Sequence, residues 1–435
     1  MRLTNIVRMA LPPGRLLSYA VRPVGAPGRR LPVSFDQGRH VADGQRPGSW
    51  MAIAARLPLH VTQDDLAAAW VSVVQRHGTL RTAFCQDPGG GVQLHEITVV
   101  PGEWAEHPIP EGQDPRRSLR ALFDESCRPF DQPSYRLALM IPDSDEADRR
   151  PMVIVGSDHA HVDMWSFLVV LRDLFTCLDD LACGRPPGAG LAPAASFAEH
   201  SAALEARPPA PDDVRQRWSE LLSAGGGVMP RFPLALGDPH FEGDSVVEVR
   251  DVLDADRAAA FAARAERQGV RAIALAVSAI TAATKQVTGE PLRALFPVHS
   301  RDEPRWRDSV GWYITNSVIE CDDPAPSAGA RAVREAIMLG SYPLAPIFAP
   351  YGGMPTAPGM FALSWLDTRR LPSLPPEAEV QYVSAGIHDD GIMVWFIVND
   401  TGLHLRVRYP NTPEAGINVE DWLDAVQQGL RAAVL

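Results

Sequence analysis

The residues best suited to chemistry fall in one short segment, Ser157-Asp158-His159-Ala160-His161-Val162-Asp163-Met164-Trp165-Ser166. An imidazole titrates near neutrality, so His159 could take a proton from an attacking hydroxyl or amine. Asp163 follows four residues later and could orient that imidazole or brace the loop. Two other readings compete. A His-x-His sequence is commonly a pair of satisfied core histidines. It could also hold zinc together with an acid, although no HExxH pattern accompanies it. Residue types alone leave all three open.

The flanking sequence says what would position this segment. The apolar run 152–155 reads as a buried strand, and 165–178 has the apolar spacing of a helix. Loops that follow strand ends expose side chains while the sheet fixes them. Upstream, 64–76 reads as a helix. Thr62 can cap it with Asp65 three residues on, and Leu66, Ala69, Trp70, Val73 and Val74 share one face. Strands are expected at 81–85 and 92–97, around the turn residues Asp87, Pro88, Gly89, Gly90 and Gly91. A helix at 118–126 and a strand at 135–141 follow.

Two stretches rich in Pro and Gly, 184–190 and 207–211, flank a helical segment at 196–206. Beyond them the alternation restarts. Helices are expected at 213–222, 256–268, 271–285 and 420–433, and strands at 245–253, 293–298, 360–365, 391–398 and 404–409. The reading is an α/β chain with two layers in two domains, 1–183 and 213–435, joined by a linker region at 184–212.

Composition narrows the function. The chain has 435 residues, 46% hydrophobic and 22% charged, as expected of globular domains. A formal net charge of −12 argues against nucleic acid and anionic membrane surfaces as partners. Lys285 is the only lysine, so the basic residues are almost all arginine. The five cysteines, Cys85, Cys127, Cys177, Cys183 and Cys321, show no CxxC spacing, which suits a reducing cytoplasm. Residues 1–12 lack the apolar core of a signal peptide. The apolar run 272–284 is too short to span a bilayer and reads as a buried helix.

The 157–166 segment resembles the HHxxxDG signature of condensation domains from nonribosomal peptide synthetases. It is similar also to related acyltransferases of the chloramphenicol acetyltransferase type, in the CoA-dependent acyltransferase superfamily. His159, Asp163, Trp165 and Ser166 match. Asp158 stands where the signature has its first histidine, and Met164 where it has glycine. Other motifs follow in order. Leu31 to Arg39 resembles the opening "LPLSxxQ" motif through Ser34, Gln37 and Arg39. The stretch from Arg76 to Phe84 resembles "RHExLRTxF". Phe197 to His200 matches "YxDYA" poorly. Arg301 and the Val310-Gly311-Trp312-Tyr313-Ile314-Thr315-Asn316 stretch resemble "GR" and "VGxFxN".

The resemblance implies two chloramphenicol-acetyltransferase-like subdomains in a V with a central tunnel, and His159 midway along it. It implies a carrier protein that presents an acyl thioester on phosphopantetheine, and a small alcohol or amine acceptor. No bound cofactor or metal is implied. His159 would be the general base, and the Met164 backbone N–H an oxyanion donor. An Asp163–Arg301 salt bridge would be a scaffold. Asp158 would raise the His159 pKa or hold the backbone as the usual histidine does. Trp165, Trp312, Tyr313 and Trp365 would line the tunnel. His77, Leu80, Arg81 and Phe84 would hold a helix–strand junction, and Gly311 would serve a turn or a close approach. Since no carrier domain follows, the expectation is a free-standing condensation enzyme, with ester formation slightly favoured over amide formation. The alternatives are a non-catalytic docking platform and a CoA-dependent acyltransferase.

Overall fold

The strand that leads into the signature is longer than its apolar run suggests. It spans Met152–Asp158, and all seven residues are buried. Its Val and Ile residues suit a strand with neighbours on both sides. It pairs antiparallel with Trp50–Arg56 on one side and with Tyr135–Pro142 on the other. The computed structural model that shows this describes residues 2–434.

The chain divides into two compact units. The first takes Met1–Glu205, Arg301–Tyr313 and Leu371–Gly386, and the second takes Ala206–Ser300, Ile314–Arg370 and Ile387–Leu435. This differs from the contiguous halves 1–183 and 213–435. The helix Phe197–Glu205, expected within the linker region, belongs to the first unit. So do two pieces from the second half of the sequence. One is fixed by pairing, because Gln381–Ser384 lies parallel to Arg2–Asn5 and antiparallel to Trp50–Arg56. The other, Arg301–Tyr313, is fixed by a buried ion pair described below.

The first unit is built on a seven-stranded sheet. Its order is Arg2–Asn5, Gln381–Ser384, Trp50–Arg56, Met152–Asp158, Tyr135–Pro142, Gly14–Val24 and Thr98–His107. The helices Gln63–Arg76 and Met164–Ala182 pack on each other. The first of these has the expected capping box, since Thr62 and Asp65 each bond the other's backbone N–H. A small sheet of Arg30–Leu31, Val92–Glu96 and Thr82–Gln86 completes the unit.

The second unit has a six-stranded sheet with helices Ala255–Arg267, Ala272–Thr288, Pro326–Leu339 and Pro413–Ala432. The apolar run near 272–284 is the helix Ala272–Thr288, with ten of its residues buried and six of those in that unit's hydrophobic core. Trp365 lies here, on the strand Phe361–Asp367, packed against the same core and 6.3 Å from the Phe396 ring.

Candidate active site

The signature is a strand, a single 3-10 turn and a helix. The strand ends at Asp158, the turn spans His159–His161, and the helix Met164–Ala182 begins after Asp163. Both acidic residues act as caps. Asp158 Oδ1 accepts from the Ala160 N–H at 2.9 Å, and Asp163 Oδ1 accepts from the Ser166 N–H at 2.7 Å. Each satisfies a donor that the start of a helical turn leaves without a backbone partner. Gln37, on the helix Phe35–Ala42, donates from Nε2 to the Ala160 carbonyl at 2.8 Å. The first motif thus holds the turn from behind.

His159 is positioned on three sides. Its backbone N–H donates to the Ser49 carbonyl at 3.1 Å. Its Nδ1 faces the Val162 carbonyl at 2.9 Å, which places the proton on Nδ1. Its ring stacks on Trp312, with centroids 4.0 Å apart and planes within 16°. Nε2 therefore carries the lone pair, and no protein group among the described residues bonds it. Burial, and next the nearby His40 ring, holds the His159 pKa below its ordinary value.

Asp158 turns away from His159. Its Oδ2 lies 3.2 Å from His40 Nε2, and Arg46 donates to His40 Nδ1 at 3.1 Å. That chain assigns the His40 proton to Nε2, pointing at the carboxylate. Burial works against the charge on Asp158. The hydrogen bond and electrostatic pull of His40 outweigh it and hold the carboxyl below its ordinary range. Of the two roles considered for Asp158, the geometry matches the backbone brace. Any upward pull on His159 is outweighed, since that imidazole is shifted down. His40 and Arg46 were not singled out from the sequence. Their partner Asp158 is 118 residues away from His40 in the chain, and no local pattern marks the pairing.

Asp163 and Arg301 form the expected pair, at 3.0 Å, with both side chains almost wholly out of water. The guanidinium is saturated on one edge. Nη2 donates to both Asp163 oxygens and to Ser166 Oγ, while Nη1 donates to the Trp306 and Ser309 carbonyls at 2.6 and 2.7 Å. It lies 3.9 Å from the centre of the Tyr313 ring and 5.3 Å from that of Trp165. The remaining Asp163 oxygen accepts from the Tyr313 N–H at 3.0 Å. With its lone pairs occupied in this way, the carboxylate is a knot between segments and has no free edge facing a substrate.

The four aromatic residues expected to line a tunnel separate into different roles. Trp312 covers one face of His159. Trp165 donates from Nε1 to the Arg307 carbonyl at 2.9 Å. Trp365 is in the second unit. Tyr313 is fully buried, its hydroxyl on Ser309 Oγ at 2.6 Å, so it is part of the scaffold and not a lining residue. Met164 occupies the first helical position with an ordinary negative φ, since Glu379 is the only non-glycine with positive φ among the described residues. The glycine of the signature is therefore not needed here for its backbone freedom. The Met164 carbonyl accepts from the Tyr382 hydroxyl. Gly311 serves a close approach, because a Cβ there would sit 2.3 Å from the Phe197 ring.

The zinc reading finds no support. No group of three His, Cys, Asp or Glu side chains able to hold a metal occurs among the described residues. His161 is a buried core histidine lying edge-on to Phe84 at 5.2 Å, with neither ring nitrogen bonded. Burial pushes its pKa down to about 4. An unfolded histidine protonates near pH 6.5, so stability is fully present above that pH and drains away as pH falls toward 4. The full loss at this site is about 3 kcal/mol. A His161→Leu variant should show a shallower decline of melting temperature between pH 6.5 and 4.5. An unchanged slope would remove His161 as its source. At the junction, His77 Nε2 bonds Asp173 at 2.8 Å, while Leu80 and Phe84 are buried.

A family model described as the condensation domain matches residues 39–335. The acyltransferase PapA3 of Mycobacterium tuberculosis is 24% identical over 92% of this chain and 88% of its own length. In fold, the chain is similar to the PapA2 acyl transferase, with a TM-score of 0.85, 19% identity and full coverage of both chains. It is also similar to the first condensation domain of the CDA synthetase, with a TM-score of 0.70, 14% identity and coverage of 94% and 97%.

Proposed function

Because the chain belongs to the condensation-domain family and is an acyltransferase, we propose that it moves an acyl group from a carrier-protein phosphopantetheine thioester to a small-molecule hydroxyl. The reading rests above all on His159. Its Nδ1 is committed to the Val162 carbonyl, so Nε2 carries a lone pair that no protein group among the described residues bonds. In the proposed step, Nε2 takes the acceptor's proton as its oxygen attacks the thioester carbon. The tetrahedral oxyanion then collapses and expels the phosphopantetheine thiolate, to which His159 returns the proton. The Met164 N–H, on the first turn of a helix, is the proposed donor to that oxyanion. An alcohol is favoured over an amine because an uncharged hydroxyl gains more from a base. The reaction would take place in the cytoplasm.

The test compares donors and acceptors in single-turnover assays. The acyl group is offered on a loaded carrier protein and on CoA, with matched alcohol and amine acceptors. Faster transfer from the carrier, to the alcohol, supports the proposal. Equal or faster transfer from CoA sinks the carrier requirement, and preference for the amine sinks ester formation.

The pH dependence has a definite sign. The base form of His159 is required, and its pKa is held below the ordinary histidine value. Activity should therefore persist as pH drops below 6.5 and fail only at lower pH. A limb in kcat/KM centred at or above 6.5 would contradict the assignment.

A further inference from the structure

The second motif contains a departure that acyl transfer does not explain. In "RHExLRTxF" the third position is glutamate, and here it is Gly78. Gly78 lines a cavity of about 230 Å³ inside the first unit, together with Gln37, Thr79, Arg81, Thr82 and Ser196.

Backbone geometry does not require the glycine. Its φ is not positive, and a Cβ built there would meet nothing nearer than Ser196 Oγ at 3.8 Å. Its effect is to leave open space where the motif has a carboxylate.

Arg81 stands on the wall of that space. Its Nε is out of water with no hydrogen-bond partner, and among the described residues no group bonds or ion-pairs with its guanidinium. The carboxylate that shares the wall, Glu96, is engaged by Arg29 at 2.8 Å. A guanidinium with a shielded, unbonded N–H lacks the partner its fork fits best, a carboxylate held by two parallel hydrogen bonds. A dry cavity of ~150 Å³ already admits benzene, so this one has room for a carboxylate with a short carbon chain.

We propose that this cavity is a binding site for a small carboxylate, whose oxygens pair with Arg81 where the motif's glutamate side chain is missing. The site is separate from the lone pair on His159. Gln37 connects the two places, because it lines the cavity and holds the Ala160 carbonyl of the catalytic turn.

Thermal unfolding of the full chain tests the proposal without any assay of acyl transfer. Propionate and succinate should raise the melting temperature saturably, by about 2–4 °C. Propionamide, and sodium chloride at matched ionic strength, should not. Arg81→Met should abolish the response. Gly78→Glu supplies its own carboxylate, so it should melt higher than wild type without ligand and no longer respond. The absence of a saturable carboxylate response in the wild type overturns the site. So does a response that Gly78→Glu retains in full. If Arg81→Met does not fold, the Gly78→Glu comparison decides alone.

Discussion

Replacing His159 with alanine should lower kcat for acyl transfer to an alcohol by about 10²- to 10⁴-fold, the usual worth of a positioned general base. The loss should be nearly complete because no neighbour can take over. His161 is buried and faces Phe84. His40 is committed at both ring nitrogens, to Asp158 and to Arg46. The fold should survive, since the side chain contributes one hydrogen bond and one ring stack, together about 1–2 kcal/mol. An amine acceptor should suffer less than an alcohol, because a free amine attacks with a lone pair it already has. Single-turnover rates with both acceptors, next to a melting curve, separate the cases. A variant that is folded and still within a few-fold of the wild-type rate would remove His159 from the chemistry.

Loss of Arg301 should act on the fold instead. Arg301→Met leaves the Asp163 carboxylate, 2% exposed, without a counter-charge, and also takes a donor from the Trp306 and Ser309 carbonyls. Breaking a buried pair from one side costs about 3–5 kcal/mol, which for a unit of this size lowers the melting temperature by about 10 °C. Arg301→Lys should recover little. One ammonium cannot serve the carboxylate, a hydroxyl and two carbonyls that now share a planar fork. Removing both charges, in Asp163→Asn with Arg301→Met, should be milder than the sum of the single changes, because the uncompensated charge is gone. If Arg301→Met costs less than about 1 kcal/mol by denaturant unfolding, the pair is not the scaffold described here.

Local signals carried most of the sequence reading. The helix Gln63–Arg76 shows in its capping residues and its apolar face, both set by neighbours within a turn or two. The placement of His159 after a strand and before a helix is equally local. What escaped was non-local or chemically ambiguous. Three of the seven residues of Trp50–Arg56 are alanine, so nothing in its composition suggests a central strand, yet it pairs on both edges. Tyr313 sits in a motif where an aromatic ring reads equally well as lining or as scaffold. Only its backbone N–H on Asp163 and its hydroxyl on Ser309 decide the matter. His40 has no local mark, because its role depends on a substitution at Asp158.

The strand Gln381–Ser384 carries a consequence for how the protein can be made. It sits between Arg2–Asn5 and Trp50–Arg56, so the first unit's sheet contains a gap until residue 384 has left the ribosome. By then the N-terminal segments have been waiting through most of synthesis, and Asp163 has lacked Arg301 for 138 residues. An expressed fragment ending at 183 or 205 would present two unpaired strand edges and a buried aspartate with no counter-ion. Such a fragment should aggregate, while coexpression with a second piece beginning at Ala206 should yield a soluble, noncovalently reassembled protein.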